Sequence, residues 1–166
     1  MSTRAAAEPS RFGVGGGAFL TVVSPAIGPE LELGIARTSW WAGFFVRGAL
    51  SGNPIDSRGS FTAYGSLGGG FRSFWGDWGN GAAPVLGVGL AASAMHVFEG
   101  RTEEDTGCVG RCTTSNTSGF GPYVELGILF RKEEALRIQL TMRLDIPLTA
   151  WEGPAIPLTV GIRVSP

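Results

Sequence analysis

Several groups of residues in this chain are of types and at spacings that could do chemistry. Ser93 and His96 stand three positions apart, as a nucleophile and its base could. On an extended strand, though, residues three apart point to opposite faces, so Ser93 and His96 would not meet. Gly13-Val14-Gly15-Gly16-Gly17-Ala18 matches a dinucleotide fingerprint on paper. That motif needs a helix after the glycines, whereas Phe19-Leu20-Thr21-Val22-Val23 continues as strand. The glycines, like Gly68-Gly69-Gly70, read better as a thin wall that gives room to side chains opposite.

Cys108 and Cys112 lie in a polar, turn-rich stretch where a disulfide is expected, and with it an oxidising compartment. His96 is the only histidine, and two sulfurs do not complete a zinc shell, so no metal is expected there. The nearby acids Glu99, Glu103, Glu104 and Asp105 lack the spacing of a calcium loop, and Asn116-Thr117-Ser118 is a sequon in form only. No cofactor is implied.

The most persistent chemical pattern is a set of charges recurring at every second position. Glu32, Arg47, Glu125, Arg137, Arg143, Asp145 and Arg163 all fall on the small or polar face of alternating segments. Held inside a closed structure they would have to pair, because an uncompensated buried charge is very costly. Contacts among Glu125, Arg137 and Arg143, on adjacent segments, are the expected centre of such a network. Its expected role is to fill the interior rather than to gate an ion path.

The elements that would carry these residues read as strands. From Leu136 to Ile146 apolar residues alternate strictly with Arg137, Gln139, Thr141, Arg143 and Asp145, and Leu158 to Val164 repeats the pattern. Strands are expected near 11–23, 30–38, 40–50, 60–73, 83–98, 118–131, 135–147 and 156–165, with turn clusters such as 24–29 and 51–54 between them. No interval has the 3.6-residue period of an amphipathic helix. Residues 1–10 are expected to be a flexible segment before one barrel domain spanning 11–166.

The 166 residues include only 16% charged ones and have a net charge of −1, which excludes the basic footprint of a nucleic-acid binder. No stretch reaches the roughly 18 apolar residues that a membrane helix requires, but barrel strands alternate and give no such signal. Met1 to Ser10 lack the apolar core of a signal peptide. That leaves a mature form with a new initiator Met, which the rest of the chain favours, or a chain that never crosses a membrane.

With alternate connections short and long, and Trp40, Trp41, Phe74, Trp75 and Trp78 at the short ones, a periplasmic aromatic belt is expected, with the cysteine loop facing out. On its repeats at 136–146 and 158–164, its aromatic turns and its loop asymmetry, the chain resembles the small eight-stranded outer-membrane barrels of the outer-membrane protein A and protein X type. It departs from many of them in ending Val164-Ser165-Pro166 and not on an aromatic residue. The resemblance implies an all-β, eight-stranded, antiparallel up-and-down transmembrane barrel in a bacterial outer membrane. Such a barrel would serve without enzymatic activity as an anchor, recognition module or partner subunit. Its expected partners are outer-membrane lipid and another protein through the 99–117 loop. Two other readings stay open: a soluble lipocalin-like carrier with an apolar interior, and a lipid A hydrolase acting on the barrel surface.

Overall fold

The computed structural model describes residues 10–22, 26–37, 39–52, 61–75, 81–99, 113–132, 136–148 and 158–165. Eight strands follow in order: β1 (Arg11–Thr21), β2 (Ala26–Ala36), β3 (Trp40–Gly52), β4 (Phe61–Phe74), β5 (Ala82–Glu99), β6 (Thr113–Lys132), β7 (Leu136–Asp145) and β8 (Leu158–Ser165). Each pairs antiparallel with its sequence neighbours, and β8 closes on β1. Closure leaves no strand of the ring without two neighbours, so the backbone polar groups are satisfied within the wall.

The register fixes the shape. From Asn116 on β6, paired residues lead through His96, Ala63, Leu50, Ile27, Leu20, Val160 and Met142, and return to β6 at Leu126, ten residues further on. Eight strands with that stagger require a tilt of about 40° and a radius of about 8 Å. This lies in the range of transmembrane barrels, and the interior is just wide enough for side chains.

The two faces of the wall differ as the alternation predicts, and their placement decides between a carrier and a membrane barrel. Val14, Leu31, Leu33, Phe44, Val46, Leu67, Leu90, Leu126 and Ile162 are all exposed on the outside, while among the described residues eight acidic and basic side chains are buried inside. A soluble carrier would show the reverse, so that reading is overturned. By the register the outward apolar band is about 25 Å tall, the height that bilayer-spanning barrels present to hydrocarbon.

Three differences from the sequence expectation have physical causes. The strand expected from residue 30 begins at Ala26, absorbing the supposed turn residues Gly28 and Pro29. Gly28 serves a close approach to β3, since an added Cβ would meet the Cα of Ala49 at 2.6 Å. The Thr21 hydroxyl accepts the Ala26 amide at 2.9 Å, which closes the ladder. The strand expected from residue 118 begins at Thr113, because β6 pairs with β5 residue for residue as far as Glu99↔Thr113. The sequon-like Asn116-Thr117-Ser118 is therefore strand. Finally, among the described residues β5 and β6 run 18 and 20 residues, against 8 to 14 for the others, so their paired ends reach furthest from the short-turn end.

Candidate functional site

The interior is stacked in three layers. Toward the long connections, Phe19, Ala26, Ala49, Tyr64 and Met95 form an apolar plug. Toward the short ones, Trp41, Phe74, Val85 and Leu129 form another. Between them lie Arg47, Arg72, Arg143 and Arg163 with Glu30, Glu32, Glu125 and Asp145, four cations and four anions, all buried.

Alternation aims these side chains inward, and glycine makes room for them. An added Cβ at Gly17 would meet the Cα and Cγ of Arg163 at 3.0 and 3.1 Å. One at Gly87 would meet Arg72 Cγ and Glu125 Cβ, each at 3.1 Å. The glycine run near the N-terminus is thus a thin stretch of wall beside a guanidinium.

Six of the eight pair in one continuous network. Arg47 meets Glu30 at 2.9 Å, its ladder neighbour on β2. Arg163 contacts Glu30, reaches Glu32 at 3.1 Å and grips Glu125 with two hydrogen bonds of 2.7 and 2.8 Å. Arg72 holds Glu32 in a bidentate pair and Glu125 at 2.7 Å. Five strands, β2, β3, β4, β6 and β8, are tied together across the lumen. Arg143 pairs with Asp145 at 2.7 Å, and Asp145 accepts the Tyr64 hydroxyl at 2.9 Å, joining the charged layer to the plug above it.

Aromatic faces cover the guanidinium planes. Arg143 lies 3.7 Å from the Tyr123 centroid and 4.1 Å from that of Phe45, and Arg72 lies 4.3 Å from Trp41. Charge pairing combined with ring stacking suits the planar, weakly hydrated arginine head far better than lysine.

Of the seven charged residues expected inside, Glu32, Arg47, Glu125, Arg143, Asp145 and Arg163 lie in this layer. The expected contact of Glu125 with Arg137 and Arg143 is replaced by pairs to Arg72 and Arg163. Glu125 and Arg143 are ladder partners, but the guanidinium of Arg143 turns to Asp145. Arg137 sits six residues along β7 from Arg143, about 20 Å away, where it donates to the Arg37 carbonyl at 3.2 Å. Glu30 and Arg72 were missed. Glu30 has the parity of Glu32 but stood at the edge of a supposed turn. Arg72 follows Gly68-Gly69-Gly70, where glycine hides the alternation.

The expected belt also divides. Neighbours on a strand face opposite ways, so Trp40 and Trp75 lie outside while Trp41 and Phe74 are buried in the lower plug. Trp40 stacks on Phe71, with ring centroids 5.9 Å apart. By the register Phe12, Trp40, Trp75 and Phe130 reach one level to within about 2 Å, an outward aromatic ring at the short-turn end where Trp41 and Phe74 had been expected. Trp78, Cys108 and Cys112 lie outside the described residues.

Ser93 points inward, donating to Ser66 at 3.0 Å, and His96 points outward, with its Nδ1 in hydrogen-bond contact with Asn116 Oδ1. They do not form a catalytic pair. Among the described residues no group of three His, Cys, Asp or Glu side chains could hold a metal ion.

No protein-family model and no curated protein matches the sequence. Solved structures do. Neisserial surface protein A (NspA) superposes with a TM-score of 0.58 at 17% identity over 95% of this chain and 99% of its own. Ail, the attachment invasion locus protein of Yersinia pestis, gives 0.56 at 8% over 94% and 95%. The N-terminal β-barrel domain of Pseudomonas aeruginosa OprF gives 0.53 at 11% over 95% and 98%. All are small eight-stranded outer-membrane barrels, and the expected resemblance is borne out at the level of fold.

Proposed function

We propose that this outer-membrane barrel works in the bacterial outer membrane as a non-enzymatic, non-conducting anchor that presents its β5–β6 hairpin to another protein. The observation that carries this reading is the hairpin itself. While the lumen is filled by a neutralised charge layer between two apolar plugs, β5 and β6 continue about 15 Å past the top of the apolar band. Recognition is usually carried by segments held out on a rigid scaffold, and here the scaffold is a closed, cross-tied ring.

The contact segment spans residues 99–117, with a Cys108–Cys112 bridge shaping its tip. One Ail structure is a complex with the heparin analogue sucrose octasulfate. The segment here carries Glu99, Glu103, Glu104 and Asp105 against Arg101 and Arg111. That balance disfavours a polyanion and suits a protein surface. The lumen ion pairs serve as a structural plug, and the outward aromatic ring at the short-turn end sets the depth of the barrel on the periplasmic side.

The test replaces residues 100–112 by a short Gly-Ser link. Membrane insertion and the heat-modifiable gel shift of a folded barrel should persist, while adhesion of expressing cells to partner-bearing surfaces disappears. Unchanged adhesion would remove the hairpin from the account. A monodisperse, detergent-free monomer would remove the membrane.

A further inference from the structure

The outer wall is bulky over most of its circumference, but on β3 to β5 the lipid-facing positions include Gly48, Gly65, Gly69, Ala92 and Ala94. Gly48 and Gly65 are ladder partners, so neither strand supplies a side chain there. An added Cβ at Gly65 would meet nothing within 4 Å. The outcome is a groove and not merely a run of small residues. Its lower part, between Phe44, Leu90 and Phe120, has a volume of about 850 Å³.

Leu67, Ala92 and Phe120 also line a second hollow of about 570 Å³ above it. That hollow shares Gly65, Ala94 and Ser118 with a third, of about 480 Å³, which ends at His96 and Asn116. From Leu90 to His96 is six residues of strand, about 20 Å. A single trough therefore runs up the lipid-facing wall, apolar for most of its length and polar at its outer end.

The polar end has a definite chemistry. The tautomer that lets His96 Nδ1–H donate to Asn116 Oδ1 leaves Nε2 as an acceptor for a ligand hydroxyl or amide N–H. The Asn116 amide and the Ser118 hydroxyl supply the donors for a carbonyl oxygen, and Ser118 stands two residues along β6 from Asn116 on the same face. By the register these three stand just above the apolar band, at the depth where acyl chains join their headgroup through ester and amide carbonyls. No lysine or arginine is among them, so the set suits carbonyl and hydroxyl oxygens better than a phosphate.

We infer that this groove holds one lipid A molecule of the outer leaflet, an acyl chain lying in the trough and its acyl linkage at His96, Asn116 and Ser118. Two relationships select this occupant. The groove is continuous with the face that meets lipid, and its polarity changes once, at its outer end, as an acyl lipid does. The inference rests on the outer-membrane reading above, because lipid A is the lipid of that leaflet.

The test is native mass spectrometry of the folded barrel released from detergent after incubation with equal amounts of lipid A and phosphatidylethanolamine. The unaltered protein should keep one lipid A. Gly65→Ile, which fills the trough where there is room for a side chain, should lower retention by about tenfold or more, as should Asn116→Ala. Leu33→Trp, on β2 away from the groove, should retain lipid A normally. Equal retention by Gly65→Ile and the unaltered chain, equal loss in Leu33→Trp, preference for phosphatidylethanolamine, or a protein dimer in place of the adduct would each overturn the inference. The heat-modifiable gel shift, run on the same samples, separates the two readings. A barrel that inserts without retaining lipid A fails only the groove, whereas a chain that never inserts fails the membrane reading itself.

Discussion

Arg163 on β8 and Glu125 on β6 form a two-pronged pair across β7, with hydrogen bonds of 2.7 and 2.8 Å inside the barrel. Glu125 also receives Arg72 at 2.7 Å, so one carboxylate joins two guanidinium groups. Removing it leaves two buried cations short of an anion. Glu125→Ala is therefore expected to destabilise the barrel by about 3–5 kcal/mol, the usual cost of breaking a buried pair from one side. The midpoint of urea unfolding in detergent micelles, followed by the gel shift, measures this. An unchanged midpoint would mean that the charge layer does not hold the strands together.

Glycines on the two faces should respond oppositely. At Gly89 an added Cβ would lie 2.5 Å from the Tyr123 ring and 2.7 Å from the Cα of Gly70. Gly89→Ala is expected to cost about 1–3 kcal/mol through overpacking. Gly65→Ala meets open space and should gain about 0.5–1 kcal/mol by relieving the entropic penalty of glycine in a strand. Comparable losses at both positions would contradict the inside and outside assignment.

The alternation made most of this barrel legible from sequence, because strict period two over Leu136–Ile146 leaves one reading for Arg143 and Asp145. It was least legible where glycine or proline interrupted the pattern, as at Gly28-Pro29 and Gly68-Gly70, and those are the places where Glu30 and Arg72 were lost. Parity alone assigns a residue to a face, and it separates Trp40 from Trp41 once applied strictly. It does not choose partners. Glu125 and Arg143 share a rung, yet their charges go to Arg163 and Asp145, because reach across an interior of about 8 Å radius lets long side chains bypass their neighbours. The groove was illegible for a different reason: small residues on three strands become a cavity only when the register lines them up.

A filled interior predicts electrical silence. Purified barrel added to a planar bilayer should produce no steady ohmic steps, since Phe19, Tyr64 and Met95 close one end of the charge layer and Trp41, Phe74 and Leu129 the other. Joint replacement of Trp41 and Phe74 by alanine should leave the bilayer quiet, because the charge layer and upper plug persist. Reproducible conductance in the unaltered protein would refute a plugged lumen.

Depth dependence offers the most direct test of the membrane face. Leu31 and Val22 are both outward and exposed, at 59% and 46%, so a soluble protein would treat arginine at either position alike. In a bilayer their depths differ. The register puts Leu31 near the middle of the apolar band and Val22 at its outer margin. Leu31→Arg should cost about 2–4 kcal/mol and Val22→Arg only about 0–1. Reversible unfolding of the two variants from phospholipid vesicles gives both values under one condition. The inequality is diagnostic because hydrocarbon penalises a guanidinium according to how far its head must reach to water. Two equally small costs would mean that neither residue meets lipid.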